Sequence, residues 1–283
     1  ATRRYLALWF VHLSTDRWRI ETPHRAAPPD TPLALVAKVK GALRLRAVDA
    51  RALGLGLVHD MALADARARE PALAVANMDE AADRHWLDLM ARHCQRWTPL
   101  VTTAPPDGIT LDIAGVEHLF GGEAGLIAEV EADFAAAGMA LRLATATTAE
   151  GAQALARHAA SPGTDEQAAI GALPVAALGL EAEATVALRR AGLKTVRDVM
   201  ARPAASIAAR FGSGAVTALR RLTGEARAPM DPLPAPDPLR FTRRFAEPVG
   251  DQSAIAHHFL DLMTEAVSAL GERGLGGRHF PLT

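Results

Sequence analysis

Apolar and polar positions change rhythm three times along the chain. Tyr5-Leu-Ala-Leu-Trp-Phe10 is a short run of mostly large apolar side chains and reads as a buried strand, because a polar, helix-like segment containing Asp16, Arg17 and Arg19 follows at once. Pro23, Pro28, Pro29 and Pro32 then interrupt the chain, Leu33 to Val39 reads as a second strand, and Gly41 marks a turn before the segment Arg44 to Arg51. The block up to about Val75 has the look of a small insertion. Helical spacing of Trp86, Leu87, Met90 and Cys94 predicts a helix over Asp79 to Arg96, ended by Pro99.

Leu100 to Thr103 and Ile109 to Ile113 predict two strands. They are joined by Ala104-Pro-Pro-Asp-Gly108, in which proline fixes φ and the glycine is expected to supply φ > 0. Leu126, Ile127, Val130 and Phe134 place a helix over Gly122 to Ala137, followed by a strand at Ala140 to Ala144 and a helix at Ala149 to Ala159. This order predicts an α+β sheet domain with helices on one face.

Beyond Ser161-Pro-Gly163 the pattern turns to short glycine-punctuated helices: Val175 to Leu178, Ala182 to Ala191, Thr195 to Ala201, Ala204 to Phe211 and Gly214 to Thr223. Pro229 to Pro238 carries five prolines in ten residues and reads as a stiff extended linker. A strand over Arg240 to Val249 and a helix over Asp251 to Leu270 follow. A β-α-β beginning cannot bury its own faces, so the expectation is the start of a further domain in a fragment of a longer protein.

Composition narrows the classes. With 31 Lys+Arg against 32 Asp+Glu the formal charge is −1, and 49% hydrophobic residues exclude a disordered tail. One cysteine excludes an intramolecular disulfide and a cysteine-built zinc site, which favours a cytoplasmic location. The N-terminal apolar run is too short to span a bilayer, and 5% aromatic residues argue against binding dominated by base stacking.

The neutral total hides an asymmetry. Between Ala172 and Met230 nine cations face four carboxylates, a local +5 that leaves −6 for the remainder. Within that stretch Ala191-Gly-Leu-Lys-Thr-Val196 and Arg210-Phe-Gly-Ser-Gly214 are glycine-bearing turns between helices. Such turns can offer backbone N–H groups to phosphate oxygens without reading sequence, and they fit a helix-hairpin-helix DNA clamp. The candidate DNA-binding residues are Gly192, Lys194, Thr195, Arg197, Arg210, Gly212, Ser213 and Gly214, joined by Arg243 and Arg244 beyond the linker. The plainer alternative is helix caps beside a solvated basic face.

A catalytic reading of the sheet finds little support. Two-metal phosphoryl transfer needs carboxylates converging on ions about 3.5–4 Å apart. Asp107 sits in the hairpin turn and Asp112 is roughly 15 Å along the strand at about 3.3 Å per residue, while Asp16 lies in the helix-like segment. Asp107 is therefore expected as a turn former and Asp112 as a structural hydrogen-bonder. His85 and His93, and His257 and His258, lack the i, i+4 spacing of a helical metal site. Cys94 lies on an apolar helical face and is expected in the core. No metal or cofactor is indicated.

The module order resembles that of the Y-family translesion DNA polymerases. It implies a right hand with a ferredoxin-like palm at 1–22 and 76–168, a fingers insertion at 23–75, a helix-hairpin-helix thumb at 169–230, a linker at 231–239 and a truncated start of the little finger at 240–283. Leu6-Ala-Leu-Trp-Phe10 with Thr15-Asp-Arg17, Leu43-Arg-Leu-Arg-Ala-Val-Asp-Ala-Arg-Ala52, Cys94-Gln-Arg-Trp-Thr-Pro-Leu-Val101, Asp107-Gly-Ile-Thr-Leu-Asp-Ile-Ala-Gly115 and His118-Leu-Phe-Gly-Gly-Glu123 are similar to the ImuB branch, the polymerase-like members encoded with ImuA in bacterial mutagenesis cassettes.

Carried over by that resemblance, the first metal-binding Asp of the family falls on Trp9 and its Asp-Glu pair on Asp107 and Gly108. The aromatic under the incoming sugar falls within Leu13 to Thr15, and the triphosphate-binding Tyr and Arg fall on Val48 and Arg51, leaving Arg51 as the residual nucleotide-site cation. The palm lysine has no counterpart in Ala149 to Pro162. The resemblance thus implies a catalytically inactive, DNA-binding adaptor in SOS-induced translesion synthesis. Its partners would be the sliding clamp, an ImuA-type protein and an error-prone replicative-type polymerase, contacted mostly through regions beyond residue 283. The competing expectation is a low-activity polymerase with Asp107, Asp112 or Asp16 as displaced metal ligands.

Overall fold

Strand β1 (Tyr5–Phe10) is buried on both faces, and the rest of the larger unit is arranged around it. The computed structural model describes residues 3–24, 28, 30–159, 165–234, 240–245 and 250–272. It separates into two units, Ala1–Pro234 and Ala235–Thr283.

In the larger unit, β1 is followed by α1 (Leu13–Glu21), the strands β2 (Leu33–Val39) and β3 (Ala42–Val48), the short helices α2 (Ala50–Gly54) and α3 (Leu63–Arg69), and β4 (Ala74–Asn77). Next come α4 (Glu80–Cys94), β5 (Val101–Ala104), β6 (Gly108–Asp112), α5 (Glu123–Ala136), β7 (Leu141–Ala146) and α6 (Ala149–His158). The sheet order β5-β6-β1-β7, antiparallel throughout, is that of a βαββαβ ferredoxin-like unit formed by β1, α4, β5, β6, α5 and β7. A second sheet, β3-β2-β4, pairs β2 with β3 antiparallel and with β4 parallel.

Alternation along β1 assigns its two faces. Leu6, Leu8 and Phe10 pack with Leu87, Ala91 and Cys94 of α4 and with Leu126, Val130 and Phe134 of α5. Phe10 and Phe134 meet edge to face, 5.1 Å between ring centroids. Truncating any of these fully buried leucines to alanine is worth about 2–5 kcal/mol. Tyr5 and Ala7 look the other way, onto Ala152, Leu155 and Ala156 of α6 and the helical region that follows. The expected single helical face is therefore corrected: α4 and α5 cover one face, but α6 covers the other, because β1 is apolar at every position and cannot leave a face wet.

Several elements escaped the sequence reading. The segment from Arg44 begins inside β3, a hairpin partner of β2 whose turn, Lys40 and Gly41, has φ of 48° and 86°. β4 and α7 (Glu166–Ala172) were not expected at all. Gly108 is not the positive-φ residue of its turn; it is already the first residue of β6, facing Trp9 across the β1–β6 pair.

The helical region comprises α7, a 3-10 turn at Val175–Leu178, α8 (Ala182–Arg190), α9 (Val196–Met200), α10 (Ala204–Phe211) and α11 (Ser213–Thr223). Val175, Leu188, Val196, Val199, Ile207 and Leu222 form its interior, continuous with the α6 side of the sheet. Leu233, expected in a free-standing linker, instead donates its N–H to the Val101 carbonyl at 2.7 Å and packs on the α4/α5 core. In the smaller unit α12 (Gln252–Glu272) is a long helix. The strand expected over Arg240 to Val249 is absent from Arg240 to Phe245, and its remainder lies outside the described residues.

Candidate functional site: a filled sheet edge and an open glycine turn

Three residues make a row across the large sheet. Antiparallel register sets Trp9 opposite Gly108 on one side and opposite Arg142 on the other, so the three share a face. The Trp9 indole N–H donates to Asp107 Oδ2 at 3.0 Å. Arg157, from the last turn of α6, brings a guanidinium nitrogen to 2.6 Å from Asp107 Oδ1. Its N–H is aimed at the Ala104 carbonyl, 3.4 Å away, and Oδ1 receives no aligned hydrogen bond, so the contact is a charge pair in which alignment is secondary. Both oxygens of Asp107 are thus engaged inside the protein.

Gly108 makes this possible. A Cβ there would lie 2.9 Å from the Ala104 carbonyl oxygen and 3.0 Å from the Arg157 guanidinium. The missing side chain is the space that Arg157 uses. The Arg142 and Arg157 guanidinium carbons lie 5.7 and 5.9 Å from the Trp9 ring centroid, within cation–π range. Arg142 also donates to the Ala159 carbonyl at the C-terminal end of α6, an orphan acceptor at the negative pole of the helix. Burial holds the neighbouring His158 below the ordinary histidine range, with Arg157 and Arg142 adding to the effect. The local field is positive.

The other carboxylates considered from the sequence serve elsewhere. Asp112 accepts the Ala114 N–H at 3.0 Å. Asp16, on α1, accepts the Ala140 N–H at 3.0 Å, and burial raises its pKa. Among the described residues no group of three or more His, Cys, Asp or Glu side chains could hold a metal ion. Arg51 is exposed and ion-paired with Asp30. Cys94 is buried, and desolvation pushes its thiol far up.

The two glycine turns of the helical region differ. At the first, Gly192 has φ 81° and every N–H from Ala191 to Val196 has an internal acceptor. Asp198 takes two of them, from Lys194 at 2.9 Å and Thr195 at 2.8 Å, in a capping box with the Thr195 hydroxyl. These bonds lower the Asp198 pKa, Thr195 N–H first and Lys194 N–H second. The unpaired donors expected at this turn are therefore not present. At the second, Gly212 has φ 91° and caps α11 without a side chain, and the N–H groups of Ser213 and Gly214 find no acceptor among the described residues. Arg210 lies over the Phe211 ring, 5.4 Å to the centroid, immediately before this turn. Arg197 reaches the Ala168 carbonyl at 3.5 Å. In the smaller unit Arg243 is paired with Glu265 at 2.7 Å and Arg244 is exposed.

Sequence reasoning missed Arg157 and Arg142. The available signal was a lone pair of residues, Arg157 and His158, ending an alanine-rich helix, which gives no hint of a contact some fifty positions away.

The fold defines the class: an α+β architecture of the Y-family DNA polymerase kind. The insertion ternary complex of Dbh DNA polymerase aligns with a TM-score of 0.67 at 13% identity, covering 81% of this chain and 69% of that one. DinB from Sulfolobus solfataricus aligns at 0.64 and 14% over the same shares. Within that class the chain is similar to ImuB: it is 36% identical over 230 residues to Protein ImuB from Caulobacter vibrioides, strains NA1000/CB15N and ATCC 19089, across 80% of this chain. The chain spans about half the length of these curated relatives, 50% of each. No family model matches it. Among the described residues no helix is long and apolar enough to cross a membrane.

Proposed function

We propose that the chain is a DNA-binding adaptor of bacterial SOS mutagenesis and translesion synthesis that does not itself transfer nucleotides. In this reading residues 1–22 and 76–168 are the palm, 23–75 the fingers, 169–230 a helix-hairpin-helix thumb, 231–239 a linker and 240–283 the start of a little finger. The observation that carries inactivity is the state of Asp107. Polymerases of this fold move phosphoryl groups with divalent ions held by converging carboxylates, whose charge stabilises the transition state. Here one carboxylate stands at that edge, Trp9 and Arg157 occupy its oxygens, and Gly108 offers no ligand. A guanidinium 2.6 Å from Asp107 neutralises the acid and adds a positive charge that opposes a divalent ion. The residues present do not fit the metal.

DNA contact is supported by the open N-terminus of α11, where the Ser213 and Gly214 N–H groups are left to bind a phosphate, with Arg210 close by in sequence. Lys194, Arg197, Gly192 and Thr195 belong to the first turn as side-chain or shape contributors, and Arg243 and Arg244 are further candidates in the smaller unit. Dbh DNA polymerase, captured in an insertion ternary complex, belongs to the same fold class. Handing synthesis to an error-prone replicative-type polymerase through the sliding clamp and an ImuA-type protein completes the adaptor reading, in the bacterial cytoplasm.

The test pairs two measurements on purified protein. Primer extension with Mg²⁺ or Mn²⁺ is expected to give no product. A gel shift on primed DNA is expected to be strong at low salt and to weaken steeply as salt rises. Measurable incorporation that disappears in Asp107→Ala would overturn inactivity, and absence of any shift would overturn DNA binding.

A further inference from the structure

Where carboxylates hold divalent ions, the ions in turn hold phosphates. Along the row Gly108, Trp9, Arg142 the polarity is reversed. Arg157 and Asp107 cancel each other at 2.6 Å, and Arg142, exposed, has no carboxylate within ion-pair distance among the described residues. The run 160–164 that follows α6 in sequence, Ala-Ser-Pro-Gly-Thr, carries no acid. Half-buried Trp9 contacts both guanidinium groups and braces them, so their positions cost little further ordering on binding.

We propose that the face made by Trp9, Arg142 and Arg157 binds a nucleic-acid backbone phosphate directly, with no divalent ion. The inference rests on the reading of the chain as a DNA-binding protein. A guanidinium fork matches two phosphate oxygens, which an ammonium cannot do, and the site already contains the counter-ion that Asp107 requires. Arg142 supplies the outward charge and Arg157 keeps Asp107 from opposing it. The site thereby keeps a hold on DNA at the place where the fold otherwise needs metal.

Fluorescence anisotropy of a labelled primer–template in EDTA tests this. Arg142 is exposed, so Arg142→Glu should fold, as thermal unfolding will verify. It is expected to weaken binding several-fold and to lower the salt slope by about one, with Arg142→Lys in between. Adding Mg²⁺ should leave the difference between the parent and Arg142→Glu unchanged. The DNA-induced change in tryptophan emission should shrink in Trp9→Phe. Equal affinity of Arg142→Glu and parent overturns the inference, as does a difference seen only with Mg²⁺. Binding of a deoxynucleoside triphosphate alone that depends on Arg142 overturns the choice of backbone phosphate. Arg210→Glu, at the α11 turn, separates the two readings: if it weakens binding while Arg142→Glu does not, DNA binding stands and this site falls. If the parent binds no DNA, both fall.

Discussion

Gly108 and Gly212 are absent side chains used in opposite ways. At Gly108 the backbone is ordinary extended strand, and what matters is the volume given up, which Arg157 fills down to its contact with Asp107. At Gly212 nothing lies within 4 Å of a would-be Cβ, and what matters is the backbone, whose φ of 91° turns the chain so that α11 starts with free N–H groups. One glycine closes a site inward and the other opens one outward. A glycine at a functional position thus needs its φ and its neighbours before it can be interpreted.

Alanine at each position separates volume from backbone. Gly108→Ala should show the largest loss, about 1–3 kcal/mol, because the Ala104 backbone carbonyl cannot move aside and Arg157 must shift against Asp107. Urea unfolding measures it, and an unchanged midpoint would mean that the space above β6 is not filled as described. Gly212→Ala should cost ~1–2 kcal/mol through φ alone, together with weaker DNA binding in the anisotropy assay; lost stability with intact binding would detach the turn from function.

Asp107→Asn should cost least of the three, below ~1 kcal/mol, since the Arg157 pair is a quarter exposed and the Trp9 N–H can still find the amide oxygen. The same change should tighten DNA binding by unmasking Arg157; weaker binding would break the picture of a self-neutralised edge. The smallest effect concerns the first turn. Asp198 has a folded pKa below its ordinary 3.8, so its contribution is fully present above that value and is lost as pH falls through the lower one. Acid titration should therefore show the parent losing stability below pH 3.8 more steeply than Asp198→Asn.

Much of this was legible in the residues. β1, the β5–β6 hairpin, α4, α5 and α6 announce themselves through apolar runs or helical spacing, and the order of elements implied an α+β polymerase-like hand. What stayed hidden has specific causes. β4 is four residues of Ala-Val-Ala-Asn with no fully buried member, and its strand character comes from pairing with β2. β3 alternates arginine with apolar residues and is more exposed than buried, so it resembles a loop. At the candidate site, the row of Trp9, Gly108 and Arg142 exists only through strand register, and Arg157 joins it through helix packing. No local pattern encodes either.

Cys94 offers a practical consequence. It is the single thiol among 283 residues, is wholly buried between α4 and the sheet, and is held protonated by its surroundings. A cysteine introduced at an exposed position such as Leu119 would then be the reactive one under native conditions. The chain is ready-made for site-specific spin or dye labelling without first removing a background residue.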